Sequence, residues 1–284
     1  MDQDSLESTL ANLYLPAIRF YRCIGSTNDE ALKWINAGAP DRALIVADEQ
    51  TTGRGRFKRR WVTPPGAGLA FSLILLSPPI DQKQYSRLSG LGAVSVREAL
   101  HRKYDLPAQI KWPNDILLGQ KKVGGVLVEV TWSGKTLGAA VIGIGINIAP
   151  ESVSAVSFQS AGLNFPATCI ENELGYQINR LELIHAILQE FISWLPRLSS
   201  PDFLLAWESN LAFRGQWVEL SYGDTTAHTQ NGTSFTPSEV GKVIGLTQDG
   251  SIILTTKTGE LVEVAVGEIH LHPSVIGQPL SPLE

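Results

Sequence analysis

Two long strand-like runs limit the architecture more than any other feature: Lys122 to Trp132 and Thr136 to Ile148, separated by Ser133-Gly134-Lys135. Apolar, β-rich runs parted by a short glycine turn read as a hairpin, which commits the chain to a sheet. Both runs are rich in glycine at corresponding ends. The first opens Lys122-Val123-Gly124-Gly125 and the second closes Gly143-Ile144-Gly145-Ile146-Asn147. Glycine weakens a strand, so paired glycines need a reason: either something lies flat against the backbone, or a helix packs tightly on the sheet. The residues alone leave both open.

Other runs supply the rest of that sheet and its cover. Ile18 to Tyr21, Ala43 to Gln50 and the apolar Leu69 to Leu76 read as strands. Ile110 to Leu118 reads as a strand that must break or bulge at Pro113, re-aiming Lys111, Asn114 and Asp115. Tyr85 to Lys103 carries Leu88, Leu91, Ser95 and Ala99 at helical spacing, and Ile178 to Leu195 carries Leu181, Ile184, Leu188, Phe191 and Leu195. Residues 1 to 15 and Phe203 to Leu211 suit short helices, and 149 to 176 reads as an irregular connection. Thr27 followed by Glu30 is a capping box, which starts a helix at Gly25-Ser26-Thr27-Asn28. From Gly215 the pattern changes to short runs split by Asp249-Gly250 and Thr258-Gly259: Gln216 to Ser221, Gly241 to Leu246, Ser251 to Thr255 and Glu260 to Val264. These predict a small antiparallel barrel. The expected division is an N-terminal segment 1–17, a catalytic domain 18–212, a barrel 213–273 and a loose tail 274–284.

With 284 residues and 43% hydrophobic content, the chain can bury a large core and a small second one. A net charge of −5 argues against a general nucleic-acid binder. Cys23 and Cys169 have no metal or disulfide spacing, and His270 with His272 lacks a third ligand, so no protein-held metal is expected. The acidic N-terminus has no signal-peptide pattern, and no run of about 18 apolar residues exists to span a membrane. A soluble cytoplasmic protein is expected.

Against that acidic background stands Gly53-Arg54-Gly55-Arg56-Phe57-Lys58-Arg59-Arg60-Trp61, with five cations in nine residues. Such a loop suits nucleic acid, a solvated surface, or the phosphates of a nucleotide. Mutual repulsion predicts a mobile loop that orders only when a polyanion supplies counter-charge.

In company, these segments resemble biotin protein ligase, the family of biotin–[acetyl-CoA-carboxylase] ligases. The family loop Gly-Arg-Gly-Arg-x-Gly-Arg-x-Trp is matched from Gly53 to Trp61. Lys-Trp-Pro-Asn-Asp is intact from Lys111 to Asp115, and Lys-x-x-Gly-x-Leu-Val-Glu from Lys122 to Glu129. The likeness spans about residues 18 to 272. It implies an α+β fold: a class II-synthetase-like catalytic domain, a mixed sheet with helices on one side, followed by an SH3-like barrel.

The resemblance also implies chemistry. ATP, with Mg²⁺ on its phosphates, would convert biotin to biotinyl-5′-AMP, and a lysine of a biotin carboxyl carrier domain of a biotin-dependent carboxylase would then take the acyl group. By motif position, Ser26, Thr27, Asn28 and Gln50 would meet the ureido end of biotin, and Arg54, Gly55 and Arg56 would cover it. Gly124 and Gly125 would let it lie on the sheet, and Lys122 would hold its carboxylate. Arg56, Arg59, Trp61, Asn114 and Asn147 would contact the nucleotide. Arg56, Lys111, Asp115 and Lys122 would be catalytic, Asp115 orienting or deprotonating the incoming lysine or merely pinning its strand.

The chain departs from the pattern at Lys58, where the family has glycine. A positive φ there would cost lysine about 1 kcal/mol. About 17 residues before the first catalytic strand are too few for the helix-turn-helix that some members carry, so no DNA-binding role is expected. A homodimer is compatible with the sheet edges. The rivals are a lipoate ligase or octanoyltransferase, which needs no ureido partners, and a nucleic-acid-binding module built on the arginine loop.

Overall fold

A computed structural model describes residues 1–133, 136–157, 165–221, 227–228, 234–235 and 238–271. The tail from Pro273, His272 and the turn residues Gly134 and Lys135 lie outside these, as does the side chain of His270.

The predicted hairpin is the spine of the molecule. Its strands β6 (Lys121–Ser133) and β7 (Thr136–Asn147) pair antiparallel almost throughout. They stand in a seven-stranded sheet with β1 (Ile18–Ile24), β2 (Leu44–Gln50), β3 (Gly68–Leu76), β4 (Ala108–Lys111) and β5 (Asp115–Leu118), in the order β1-β2-β3-β7-β6-β5-β4. Only β1 and β2 run parallel, so the sheet is mixed as expected. The proline-interrupted run is neither one strand nor a bulge. It folds back at Trp112-Pro113-Asn114 as a hairpin, with Lys111 opposite Asp115 and a cis bond at Trp112-Pro113.

The helices are α1 (Gln3–Leu10), α2 (Thr27–Asn36), α3 (Ser86–Tyr104), α4 (Pro150–Ser157), α5 (Ile170–Leu174), α6 (Arg180–Trp194) and α7 (Pro201–Ser209). Thus the described residues of 149–176 hold the short helices α4 and α5 within that connection. Leu44 and Val46 of β2 join the large core with α1, α3 and α6, while the intervening Ile45 packs with Ile74, Val141 and the Ala31 and Trp34 of α2. Helices therefore cover both faces, not one. Strands apolar on alternate and intervening positions alike need cover on both sides.

The C-terminal strands are β8 (Trp217–Ser221), β9 (Ala227–His228), β10 (Ser234–Phe235), β11 (Ser238–Leu246), β12 (Ile252–Thr255), β13 (Leu261–Val264) and β14 (Glu268–Leu271). Five of them form an antiparallel sheet ordered β13-β12-β11-β8-β14. The sequence reading missed β14, and its first residue reaches the functional site. The β11–β12 turn is held against the larger domain by polar contacts. The buried Trp112 indole donates to the Gly250 carbonyl at 3.0 Å, and Arg87 donates to the carbonyls of Gln248 at 2.9 Å and Leu198 at 2.8 Å. Among the described residues no helix is long and apolar enough to cross a membrane.

Candidate active site

Four segments meet at one end of the sheet: the start of α2, the arginine loop after β2, the β4–β5 turn, and the glycine-bearing ends of β6 and β7. They enclose one cavity, to which Phe165, Ala167 and Glu268 also contribute. Every site residue singled out from sequence lines it except Gly124. Gly124 lies outside the lining, and a Cβ there would press on the Gly145 carbonyl at 3.0 Å. The glycines of β7 have a different reason. A Cβ at Gly143 would collide with the Asn28 amide and one at Gly145 with the Trp61 indole. The two side chains lie flat on the sheet where glycine leaves room.

One end of the cavity is polar and neutral. The N-cap of α2 is Ser26, whose hydroxyl accepts from Asp29 N–H at 3.4 Å, not Thr27 as the capping-box reading placed it. Thr27 is instead turned inward. Its N–H donates to Gln50 Oε1 at 2.8 Å, and its hydroxyl lies 3.1 Å from that same oxygen. The Asn28 amide donates to Glu129 Oε2 at 2.8 Å and to the Leu127 carbonyl at 3.3 Å. All four predicted residues, Ser26, Thr27, Asn28 and Gln50, are buried. Buried polar groups need partners: Thr27 and Gln50 find them in each other, Ser26 in Asp29, and Asn28 in Glu129 and Leu127.

The other end is charged. Asp115 receives Lys122 Nζ at 2.6 Å on one oxygen and Lys111 Nζ at 3.2 Å on the other. Burial alone would raise its pKa, but the two ammoniums outweigh it and hold it at about 2. Lys111, 3% exposed, also lies 3.6 Å from Glu268 of β14. Glu268 accepts both Arg59 guanidinium nitrogens, at 2.6 and 2.7 Å. Burial pushes the Glu268 pKa up, yet the Arg59 hydrogen bonds and Lys111 bring it below the usual range. Arg56 donates to Asn114 Oδ1 at 3.3 Å and to the Gly267 carbonyl at 3.1 Å, and burial lowers its pKa against the pull of Asp115 and Glu268. Arg54 reaches Asp29 and Glu129, each at 2.6 Å. Asn147 donates to the Thr168 carbonyl at 3.1 Å, and the Asn114 amide to the Val126 carbonyl at 2.9 Å.

Part of the loop's charge is met within the protein: Arg54 by Asp29 and Glu129, and Arg59 by Glu268. Lys58 has φ +56° and its neighbour Phe57 +52°, both left-handed. The lysine thus stands in the conformation that suits the glycine it replaces, at a cost of about 1 kcal/mol.

Three participants escaped the sequence reading. Glu268 lies in an unmarked run, and Ser72 lies within the strand run Leu69 to Leu76, where a serine among apolar residues is a signal. Glu129 closes a recognised motif and had no role assigned.

No group of three His, Cys, Asp or Glu that could hold a metal occurs among the described residues. Asp115 and Glu268 are each engaged by two cations, so this donor set does not fit a resident Mg²⁺.

Comparison with known proteins follows the same lines. The profile of the biotin/lipoate A/B protein ligase family matches residues 20–147. The bifunctional ligase/repressor BirA of Bacillus spizizenii is 34% identical over 241 residues, covering 83% of this chain and 68% of that protein. The biotin–[acetyl-CoA-carboxylase] ligase of Paracoccus denitrificans is 30% identical over 242 residues, covering 84% and 93%. Among solved structures, the biotin protein ligase from Aquifex aeolicus in complex with biotin and ATP superposes with a TM-score of 0.71 at 27% identity, covering 89% and 97%.

Proposed function

This chain belongs to the biotin/lipoate A/B protein ligase family, and from that premise we propose that it joins biotin to a carrier-protein lysine through biotinyl-5′-AMP. The observation that carries the reading is the shape of one cavity. It sets a buried, neutral hydrogen-bonding end (Thr27, Asn28, Gln50) beside a cluster of cations (Arg56, Lys111, Lys122). A neutral urea fits the first and a carboxylate meeting a triphosphate needs the second.

In the first step the biotin carboxylate attacks the α-phosphorus of ATP and pyrophosphate leaves. Two anions must approach in a site of low dielectric, where their repulsion amounts to several kcal/mol, so fixed cations between them lower the barrier. Lys122 exchanges its bond to Asp115 for one to the biotin carboxylate and then to the acyl phosphate. Arg56 and Lys111 face the phosphates. Trp61, lying flat over Gly145, offers its ring to the nucleotide, and Arg59, Asn114 and Asn147 offer hydrogen bonds. Gly55 and Arg54 close over biotin, and Gly125 leaves the sheet surface open to it. Any Mg²⁺ arrives on the triphosphate.

In the second step the carrier lysine attacks the acyl carbon and AMP leaves. Even at its ordinary value of 3.8 an aspartate is a poor base for an ammonium whose ordinary pKa is about 10.4. Asp115 therefore acts by orienting the incoming amine rather than by taking its proton. The acceptor is a biotin carboxyl carrier domain.

The nucleic-acid rival loses its main support, because the loop's arginines point at carboxylates and carbonyls of the protein. The lipoate rival is met by assay. Purified protein with biotin, ATP, Mg²⁺ and a carrier domain is expected to release pyrophosphate and label one carrier lysine. Pyrophosphate release with lipoate but not with biotin would overturn the reading.

A further inference from the structure

We infer that Ser72, which lies behind the cavity wall, is a positioning residue. It sets the direction of the hydrogen bonds that a cyclic urea meets. The inference rests on the biotin reading above. Ser72 sits in the middle of β3, is 0% exposed, and has its hydroxyl oxygen 2.6 Å from Asn28 Oδ1 and 2.8 Å from Thr27 Oγ1.

The protons of this cluster have one consistent arrangement. Glu129 Oε2 and the Leu127 carbonyl can only accept, so the NH₂ of Asn28 must face them and its Oδ1 must face Ser72. Ser72 has a single proton, and Oδ1 takes it. What Ser72 then shows Thr27 is a lone pair, so the Thr27 hydroxyl donates to Ser72. Gln50 Oε1, which that hydroxyl leaves, is still satisfied by Thr27 N–H, and Gln50 Nε2 donates one proton to Thr63 Oγ1 at 3.3 Å. Gly143 makes the arrangement possible, since any side chain there would occupy the place of the Asn28 amide.

The valences left for a ligand include lone pairs on Thr27 Oγ1, Asn28 Oδ1 and Gln50 Oε1, the second proton of Gln50 Nε2, and the hydroxyl proton of Ser26, whose oxygen accepts from Asp29 N–H. Acceptors and donors are both on offer. A cyclic urea carries two N–H donors and one carbonyl acceptor, which these lone pairs and protons can meet. An apolar dithiolane satisfies none of them and would leave buried polar groups unpaired. Glu129 matters here because its carboxylate, also bound by Arg54, keeps Asn28 from flipping.

The test is steady-state kinetics of biotin- and lipoate-dependent pyrophosphate release. For Ser72→Ala we expect KM for biotin to rise about tenfold, kcat at saturating biotin to stay within about twofold, and KM for ATP to hold. The ratio of kcat/KM for biotin over lipoate should fall about tenfold. An unchanged biotin KM, or equal losses for biotin and lipoate, would overturn the assignment. Should Ser72→Ala fail to fold, Ser72→Cys keeps the volume with a weaker donor. It should show the same split at smaller amplitude, and a uniform loss there would equally overturn it. If the wild-type protein prefers lipoate, the biotin reading fails instead, which is a separate result.

Discussion

Replacing Lys122 by alanine removes one cation from the cavity and breaks its 2.6 Å pair with Asp115. Both consequences have a size. For the chemistry, losing one fixed group aimed at developing charge typically costs about 2.7–4 kcal/mol, on the order of a hundred- to a thousandfold in rate. Biotin-dependent ATP–pyrophosphate exchange should therefore fall by at least an order of magnitude. For the fold, Asp115 loses the nearer of two partners and keeps Lys111 at 3.2 Å. With both in place, its pKa stands at about 2 against an ordinary 3.8. That depression stabilises the native state by about 2 kcal/mol at most. A depressed carboxylate contributes fully above the unfolded value, near pH 4, and the contribution is lost as pH falls toward 2. The variant should accordingly show a flatter fall in unfolding free energy between pH 4 and pH 2 than the wild type. Lys122→Met serves as the control of similar length. Near-normal exchange would refute the catalytic role, and an unaltered acid-unfolding curve would refute the electrostatic account of Asp115.

For Arg56→Gly, retention of the acyl-adenylate should weaken and lysines of bystander proteins should become biotinylated; labelling confined to the carrier would count against it. For Glu268→Gln, urea unfolding should reveal a loss of about 1–3 kcal/mol, less than for a fully buried pair because Arg59 is partly exposed. KM for ATP should rise as well, and a silent substitution would show that β14 is a bystander. For Lys58→Gly, relief of the left-handed backbone should outweigh the added unfolded-state freedom, giving a gain of up to about 1 kcal/mol in thermal unfolding. A net loss would mean that the side chain of Lys58 makes a contribution of its own.

Motif residues were legible because their chemistry is local: a Lys-Trp-Pro-Asn-Asp run or a glycine-arginine loop is read without knowing what faces it. The strands of the sheet were legible for a similar reason, since Leu69 to Leu76 and the β6–β7 hairpin announce themselves by apolar runs. What failed was pairing across distance. The counter-charges of the loop come from Asp29, Glu129 and Glu268, separated from Arg59 by up to about two hundred residues, and no period or motif links them. Likewise, proline in Ile110 to Leu118 signalled a break but not its direction, and the reversal into β5 is what brings Lys111 and Asp115 together. The second helical layer was missed although Leu44-Ile45-Val46 is apolar on both faces.

The partners of the six cations that line the cavity differ in a way that bears on their use. Arg54, Arg59, Lys111 and Lys122 are each bonded to a carboxylate. Arg56 and Arg60 show another pattern: the hydrogen bonds of Arg56 go to the neutral oxygens of Asn114 and Gly267, and the exposed Arg60 donates to the Thr51 carbonyl. A phosphate that approaches one of the first four must displace an existing anion, and the gain is the difference between two similar pairs. A phosphate that approaches Arg56 pairs with a partly buried charge for which Asp115 and Glu268 provide only longer-range attraction. In a site of low dielectric that gain is larger per contact. The same burial explains why Arg56 carries a depressed pKa while remaining charged, since even a lowered guanidinium stays far above neutrality. Arg56 should thus give most of the loop's affinity for nucleotide. The carboxylate-bonded cations are better placed for a later role, released from Asp115 or Glu268 as negative charge builds up at the acyl phosphate.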